Sequence, residues 1–167
     1  MPAASELEMI FSSLFGERYR TELVGGGDEP LYEPPSTGAL GRIVYREDFV
    51  ASALHEVAHW CVAGSRRRTQ LDYGYWYSPD GRSAQQQAEF ERVEVAPQAL
   101  EWVFSDACGV AFRPSADNVE SNLGPSPEFV AALTARRDAL LDGALSGRAL
   151  TFRDALRALS ASSRAAG

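Results

Sequence analysis

The spacing of apolar positions changes several times along the chain, and each change marks an element. Ser5-Glu6-Leu7-Glu8 has the form of a capping box, with Ser5 as N-cap and Glu8 three residues on. Behind it Ile10, Phe11, Leu14 and Phe15 share one helical face. Gly25-Gly26-Gly27 closes this unit and permits a tight turn. Leu31-Tyr32 is a short extended piece before Pro34-Pro35. Arg42-Ile43-Val44-Tyr45-Arg46, β-branched and bounded by Gly41, predicts a strand. From Glu47 to Ala63, residues Phe49, Val50, Ala53, Leu54, Val57, Ala58, Cys61 and Val62 leave little polar surface. This predicts a buried helix that stops at Gly64.

The second half is more polar. Leu71 to Arg82 gathers Tyr73, Tyr75, Trp76 and Tyr77 with Asp72 and Asp80, then turns at Pro79-Asp80-Gly81. Aromatics at strand spacing fit a core, and with carboxylates beside them they equally fit a pocket wall for an alkylammonium group. Ser83 to Val93 reads as a polar helix. Pro97 cannot continue it but suits the first turn of the next helix, which runs to Gly109. Ser115 to Asn118 reads as a turn. Ser126-Pro127-Glu128 opens a further helix with cap, proline and early acid. Thr151 to Asp154 opens a short last helix whose Ser/Ala/Arg end is expected to fray. No repeat or long linker divides the chain, so one domain is expected over 1–167, with its core at about 5–160.

Composition narrows the function classes. The 167 residues are 45% hydrophobic and 23% charged, as in an ordinary water-soluble domain. The net charge of −7 disfavours gripping a phosphate backbone, so no direct nucleic-acid binding is expected. It suits a cationic group or a basic partner surface. Cys61 and Cys108 make no disulfide framework and read as buried free thiols. With no leader pattern and no apolar run of membrane length, a cytoplasmic location and no membrane contact are expected. A monomer is expected. Arg66-Arg67-Arg68 follows the buried helix, where it either complements the helix C-terminus or forms a rim patch for an acidic partner.

The candidate chemistry lies in Leu54-His55-Glu56-Val57-Ala58-His59-Trp60, which holds the only two histidines. Residues i and i+4 project from one helix face, so two imidazoles there can grip one metal ion, as in H-E-x-x-H helices. A divalent ion needs further ligands, and with no third histidine the next one should be a carboxylate. Glu56 points about 100° around the helix axis from His55. Glu94, flanked by Val93 and Val95, is drawn into the interior, where an unpaired charge would be costly. It is preferred over Glu89 and Glu91, which sit in a polar run. Two histidines and a carboxylate suit either a water-activating zinc site or the facial triad of non-haem Fe(II) oxygenases, and the spacing does not separate them.

Several stretches together resemble the bacterial elongation factor P hydroxylase family. They are Asp28-Glu29-Pro30-Leu31-Tyr32, Arg42-Ile43-Val44, Ala53 to Cys61, Tyr73-Gly74-Tyr75-Trp76-Tyr77, Pro79-Asp80-Gly81-Arg82, Val93-Glu94-Val95 and Pro97-Gln98-Ala99-Leu100. The likeness is dense from about 28 to 123. It implies an α+β fold, a small mixed sheet packed with helices, with the metal site on a buried helix. That fold would be similar to the fold of a metal-dependent bacterial endoribonuclease family. The implied activity is hydroxylation of a lysine of elongation factor P that already carries a β-lysyl group, using Fe(II) and dioxygen. The resemblance makes His55, His59 and Glu94 the iron ligands. Glu56 would orient a ligand or act in catalysis. Asp72, Tyr73, Tyr75, Trp76, Tyr77 and Asp80, with Arg82 beside them, would hold the cationic substrate. The order H-E-x-x-H…E differs from the H-x-D/E…H of most Fe(II) oxygenases, so no 2-oxoglutarate site transfers. The competing readings are a zinc peptidase with Glu56 as general base, a single-metal ribonuclease, and a metal-stabilised binding module.

Overall fold

The chain begins with α1 (Ala4–Phe11), which passes through a π-type turn (Ser12–Gly16) into the short α2 (Glu17–Tyr19). The computed structural model describes residues 1–75, 83–115 and 124–167. The first helix starts earlier than Ser5. Its cap is Ala3, whose N–H donates to the Glu6 carboxylate at 2.8 Å. Glu8 is not a capping residue. It accepts from the Tyr45 hydroxyl at 2.7 Å and from the Gly25 N–H at 3.0 Å, two part-buried bonds that tie α1 to the sheet.

The sheet has three strands, β1 (Thr21–Gly27), β2 (Leu31–Glu33) and β3 (Gly41–Arg46), in the order β1-β3-β2. β1 runs parallel to β3 and β2 antiparallel, so the sheet is mixed. The predicted strand at Arg42–Arg46 and the extended Leu31-Tyr32 are both present. The three glycines differ from expectation: they belong to β1. Its pairing with β3 runs from Thr21 opposite Gly41 to Val24 opposite Val44, then breaks and resumes with Gly27 opposite Arg46. A Cβ on Gly25 would lie 2.6 Å from the Glu47 carbonyl and 2.7 Å from the Tyr45 ring, so glycine is what lets the bulged strand close up.

α3 (Val50–Val62) carries both histidines and packs against α1, β3 and two later helices, α4 (Ala84–Cys108) and α6 (Gly147–Ala165). α5 (Pro127–Ala139) lies on α4 and leads through a π-type turn (Leu140–Ala144) into α6. The Ser126 cap of α5 is as read from the sequence, its hydroxyl accepting from the Phe129 N–H at 3.1 Å. Two boundaries are not. α6 is helical to Ala165, well past the expected fray. The break expected at Pro97 is absent, and α4 is one continuous helix through it. An interior proline costs about 3 kcal/mol by local rules. Packing of Pro97, Gln98, Ala99 and Leu100, all buried, against neighbouring elements outweighs that cost.

The core centres on Trp60, fully buried, with the Phe11, Phe15 and Tyr19 rings 4.9, 5.2 and 5.1 Å from it. The end of α3 is satisfied from a distance. The Arg148 guanidinium, on α6, donates to the carbonyls of Trp60 (2.9 Å), Cys61 (3.2 Å) and Ala63 (2.9 Å) while lying over the Trp60 ring. A cation there meets the negative end of the helix and its unpaired carbonyls at once. Replacing Arg148 by alanine should therefore destabilise the fold by about 2–4 kcal/mol, from several charge-assisted bonds lost together. Urea unfolding of the variant checks this, and a loss under about 1 kcal/mol would mean water replaces the guanidinium.

Candidate metal centre

α3 and α4 present the key side chains to each other. His55 and His59 stand one turn apart on α3, and Glu94 reaches them from the middle of α4. Nε2 of His55 and Nε2 of His59 are 3.1 Å apart. Oε2 of Glu94 is 2.9 Å from Nε2 of His59, and Oε1 is 3.6 Å from Nε2 of His55. These are the ligand-bearing residues of one cluster compact enough for a single ion among the described residues. Glu94 is only 5% exposed, and its Oε2 is shielded yet accepts no aligned hydrogen bond. Nitrogen and oxygen ligands about 2.1 Å from a metal are about 3.0 Å apart at a right angle and about 3.4 Å at a tetrahedral one. The observed separations are ones that three ligands of a single cation could take.

A second carboxylate sets the chemistry of His55. Its Nδ1 lies 2.7 Å from Oε1 of Glu101, two turns along α4 from Glu94. A carboxylate only accepts, so Nδ1 carries the proton and Nε2 is the atom that can face a metal. Burial works to lower the His55 pKa. The Glu101 hydrogen bond and the charges of Glu56, Glu101 and Glu94 overcome it and lift the group to about 10. Glu94 is held at about 2: burial would raise it, but the imidazoles of His59 and His55 and the Gln98 amide outweigh that. Gln98 lies between the two acids and is 1% exposed. Its amide donates to the Ser115 carbonyl at 2.7 Å and accepts from the Ser115 N–H at 3.0 Å, so it fixes the chain leaving α4.

The cluster opens into a cleft of about 650 Å³. Glu56 is part of its wall, buried, with its pKa raised by that burial. Asp72, Tyr73 and Tyr75 also line it. They form a one-turn 3-10 segment (Leu71–Gly74) and its exit, not a strand. Asp72 and Tyr73 both have positive φ, 48° and 61°, and for bulky residues this costs about 1–3 kcal/mol each. The strain is held by cross-links. Asp72 Oδ1 accepts from the Tyr32 N–H at 2.9 Å, and the Arg67 guanidinium donates to the Tyr73 carbonyl at 3.0 Å while covering the Tyr75 ring at 4.1 Å. Arg68 donates to the Ala63 carbonyl at 2.7 Å. Arg68 thus meets the C-terminal end of α3, while Arg67 braces the Tyr73 turn instead. Trp76, Tyr77, Asp80 and Arg82 lie outside the described residues.

Family comparison adds to this geometry. The profile of the elongation factor P hydroxylase family matches residues 10–165. The chain belongs to that family. An elongation factor P lysine hydroxylase of Haemophilus influenzae is 47% identical to it over 148 residues, 88% of this chain and 83% of the relative. Glu101, Gln98, Tyr32, Arg46 and Arg113 also border the cleft of this hydroxylase-family chain, with no role expected of them from the sequence. A signal for two of them was present. Glu94, Gln98 and Glu101 recur at i, i+4 and i+7, a polar stripe on an otherwise buried helix face.

Proposed function

We propose that the chain is an iron- and dioxygen-dependent hydroxylase of the β-lysyl-modified lysine of translation elongation factor P. The observation that carries this reading is the convergence of His55, His59 and Glu94 at a cleft, in a chain so similar to a relative named for lysine hydroxylation of that factor. Two imidazoles and one carboxylate on one side of an ion leave its other positions open, the arrangement of non-haem Fe(II) oxygenases. Bound there, iron would activate dioxygen for insertion into an unactivated C–H bond.

The protein's own residues would do the rest. Glu101 orients the His55 ring and fixes which nitrogen faces the ion. Gln98 and the buried core of α4 hold Glu94 at fixed depth. The carboxylates of Glu56 and Asp72 and the rings of Tyr73 and Tyr75 give the cleft a character that suits ammonium groups at the end of a long side chain. Trp76, Tyr77, Asp80 and Arg82 are proposed to extend that wall. No separate motif for a 2-oxo-acid is assigned. The direct test is anaerobic purification, metal analysis, and oxygen consumption with β-lysylated elongation factor P. A protein that holds iron and consumes no oxygen with that substrate would sink the proposal.

The zinc hydrolase reading has one observation in its favour, the seat of Glu56 in the cleft wall beside both histidines. Glu56→Gln separates the two. If Glu56 acts only through its neighbours, the variant should keep its metal and lose about tenfold to a hundredfold in turnover. Loss of all activity with the metal retained would make Glu56 a general base and favour hydrolysis.

A further inference from the structure

A groove between α4 and α6 lies away from the metal cluster. α6 lays Arg153, Arg157, Ser160 and Arg164, at i, i+4, i+7 and i+11, along one wall of a cavity of about 280 Å³. That spacing keeps all four on one helix face. Val103 and Ala107 of α4, with Leu141 and Ala161, give the cavity an apolar floor. A neighbouring cavity of about 270 Å³ shares Ser160 and Arg164 with it, so the two run on as one trough along α6. On α4, Val103, Asp106 and Ala107 lie roughly 120–160° around the axis from Glu101, so the trough is on the side turned away from His55.

The charge of this trough runs against that of the chain, which is −7 overall. Its lining holds three arginines against one acid, Asp106, and Asp106 is paired with Arg137. Arg153 bonds its chain neighbour Asp154 at 2.8 Å. Arg157 and Arg164 are exposed and enter no ion pair among the described residues. Other arginines serve the fold: Arg20, Arg67, Arg68 and Arg148 donate to backbone carbonyls. Arg153 and Arg157, four apart on one helix, instead repel each other. We propose that the trough is a docking surface for an acidic segment of a partner polypeptide, with its carboxylates on the arginines and its apolar side chains on the floor. Guanidinium forks match carboxylates in geometry as well as charge. From Arg153 to Arg164 the helix rises about 16 Å, the length of about five extended residues. A nucleic acid fits less well. The net charge repels phosphates, and no aromatic ring lines either cavity among the described residues to stack on a base.

The test titrates the full chain with the end-capped peptide Glu-Glu-Leu-Gly-Glu-Glu and follows the backbone amides by NMR. Its controls are the same peptide with Gln for every Glu and a single-stranded RNA of about ten nucleotides. The acidic peptide should shift amides of α6 from Arg153 to Arg164 and of α4 from Val103 to Ala107, and leave His55 and His59 unmoved. The double variant Arg157→Gln, Arg164→Gln should bind it about tenfold more weakly, and salt at about 0.5 M should erase the difference. The Gln peptide should not bind, and the Tm of the variant should equal that of wild type because both arginines are exposed. Equal binding by the double variant overturns the proposal, as do shifts centred on the metal cleft or a clear fall in Tm. Tighter binding of the RNA at the same residues would make the trough a nucleic-acid surface and overturn it too. So would a wild type that sediments as a dimer and a double variant that does not, since the occupant would then be a second copy of the chain. Neither metal nor turnover enters these measurements, so their outcome stands apart from the reading of the metal centre.

Discussion

Glu94→Ala should lose iron and hydroxylation together while the fold remains. Among the described residues, Glu94 is the only carboxylate that comes within 3.6 Å of both imidazoles through its two oxygens, at 2.9 and 3.6 Å. The other acids of that stretch are engaged elsewhere. Glu91 accepts from the Ser126 hydroxyl at 2.9 Å, and Glu89 pairs with Arg92 on the surface. Neither can move to the ion without breaking its own contact. Two histidines alone hold a divalent ion poorly, so the loss should exceed the tenfold to hundredfold typical of an outer partner, reaching about a thousandfold or more. The fold should survive because Leu100, Val103 and Phe104 continue to anchor α4 in the core. Glu94→Gln keeps the shape and removes the charge, and should also lose the metal. Iron analysis with circular dichroism checks both variants. Full iron occupancy in Glu94→Ala would hand the third position to another group.

Much of this cluster is legible in the sequence, for local reasons. The i, i+4 spacing of His55 and His59 depends only on helix geometry, and the apolar neighbours of Glu94 foretold its burial. The β3 strand and the Ser126 cap were equally local. What escaped was long-range or strained. Pro97 obeys its local rule only when packing does not override it, and α4 is packed along its length. Glu101 meets His55 across 46 positions, so only the helical stripe it shares with Glu94 and Gln98 could have pointed to it. Nothing in Leu71-Asp72-Tyr73-Gly74 marks two non-glycine residues for left-handed backbone; their conformation comes from Tyr32 and Arg67. The capping box at Ser5 failed because Glu8 had two better donors in the sheet.

The pH dependence of metal binding should report on Glu101. In the metal-free protein His55 is held protonated up to about pH 10 by Glu101, Glu56 and Glu94. A metal needs the Nε2 lone pair, so below that pH binding must expel a proton, and affinity should rise about tenfold per pH unit. The same shift acts on the metal-free fold with the opposite sign. A histidine whose folded pKa is raised stabilises the fold fully below its unfolded value of about 6.5, and that contribution is lost as pH rises through about 10. The thermal shift produced by added Mn(II) should therefore grow steadily between about pH 6 and about pH 8. Glu101→Gln keeps an amide oxygen that can accept from His55 Nδ1, but it removes the negative charge that holds the His55 tautomer firmly and helps neutralise the ion. It should weaken metal binding about tenfold to a hundredfold at neutral pH. It should also drop the His55 pKa, so that proton release on binding begins to vanish at lower pH than in wild type. Calorimetry in two buffers of different ionisation enthalpy measures that release directly. If Glu101→Gln binds metal as tightly as wild type with the same proton release, then Glu101 does not act on the ion through His55.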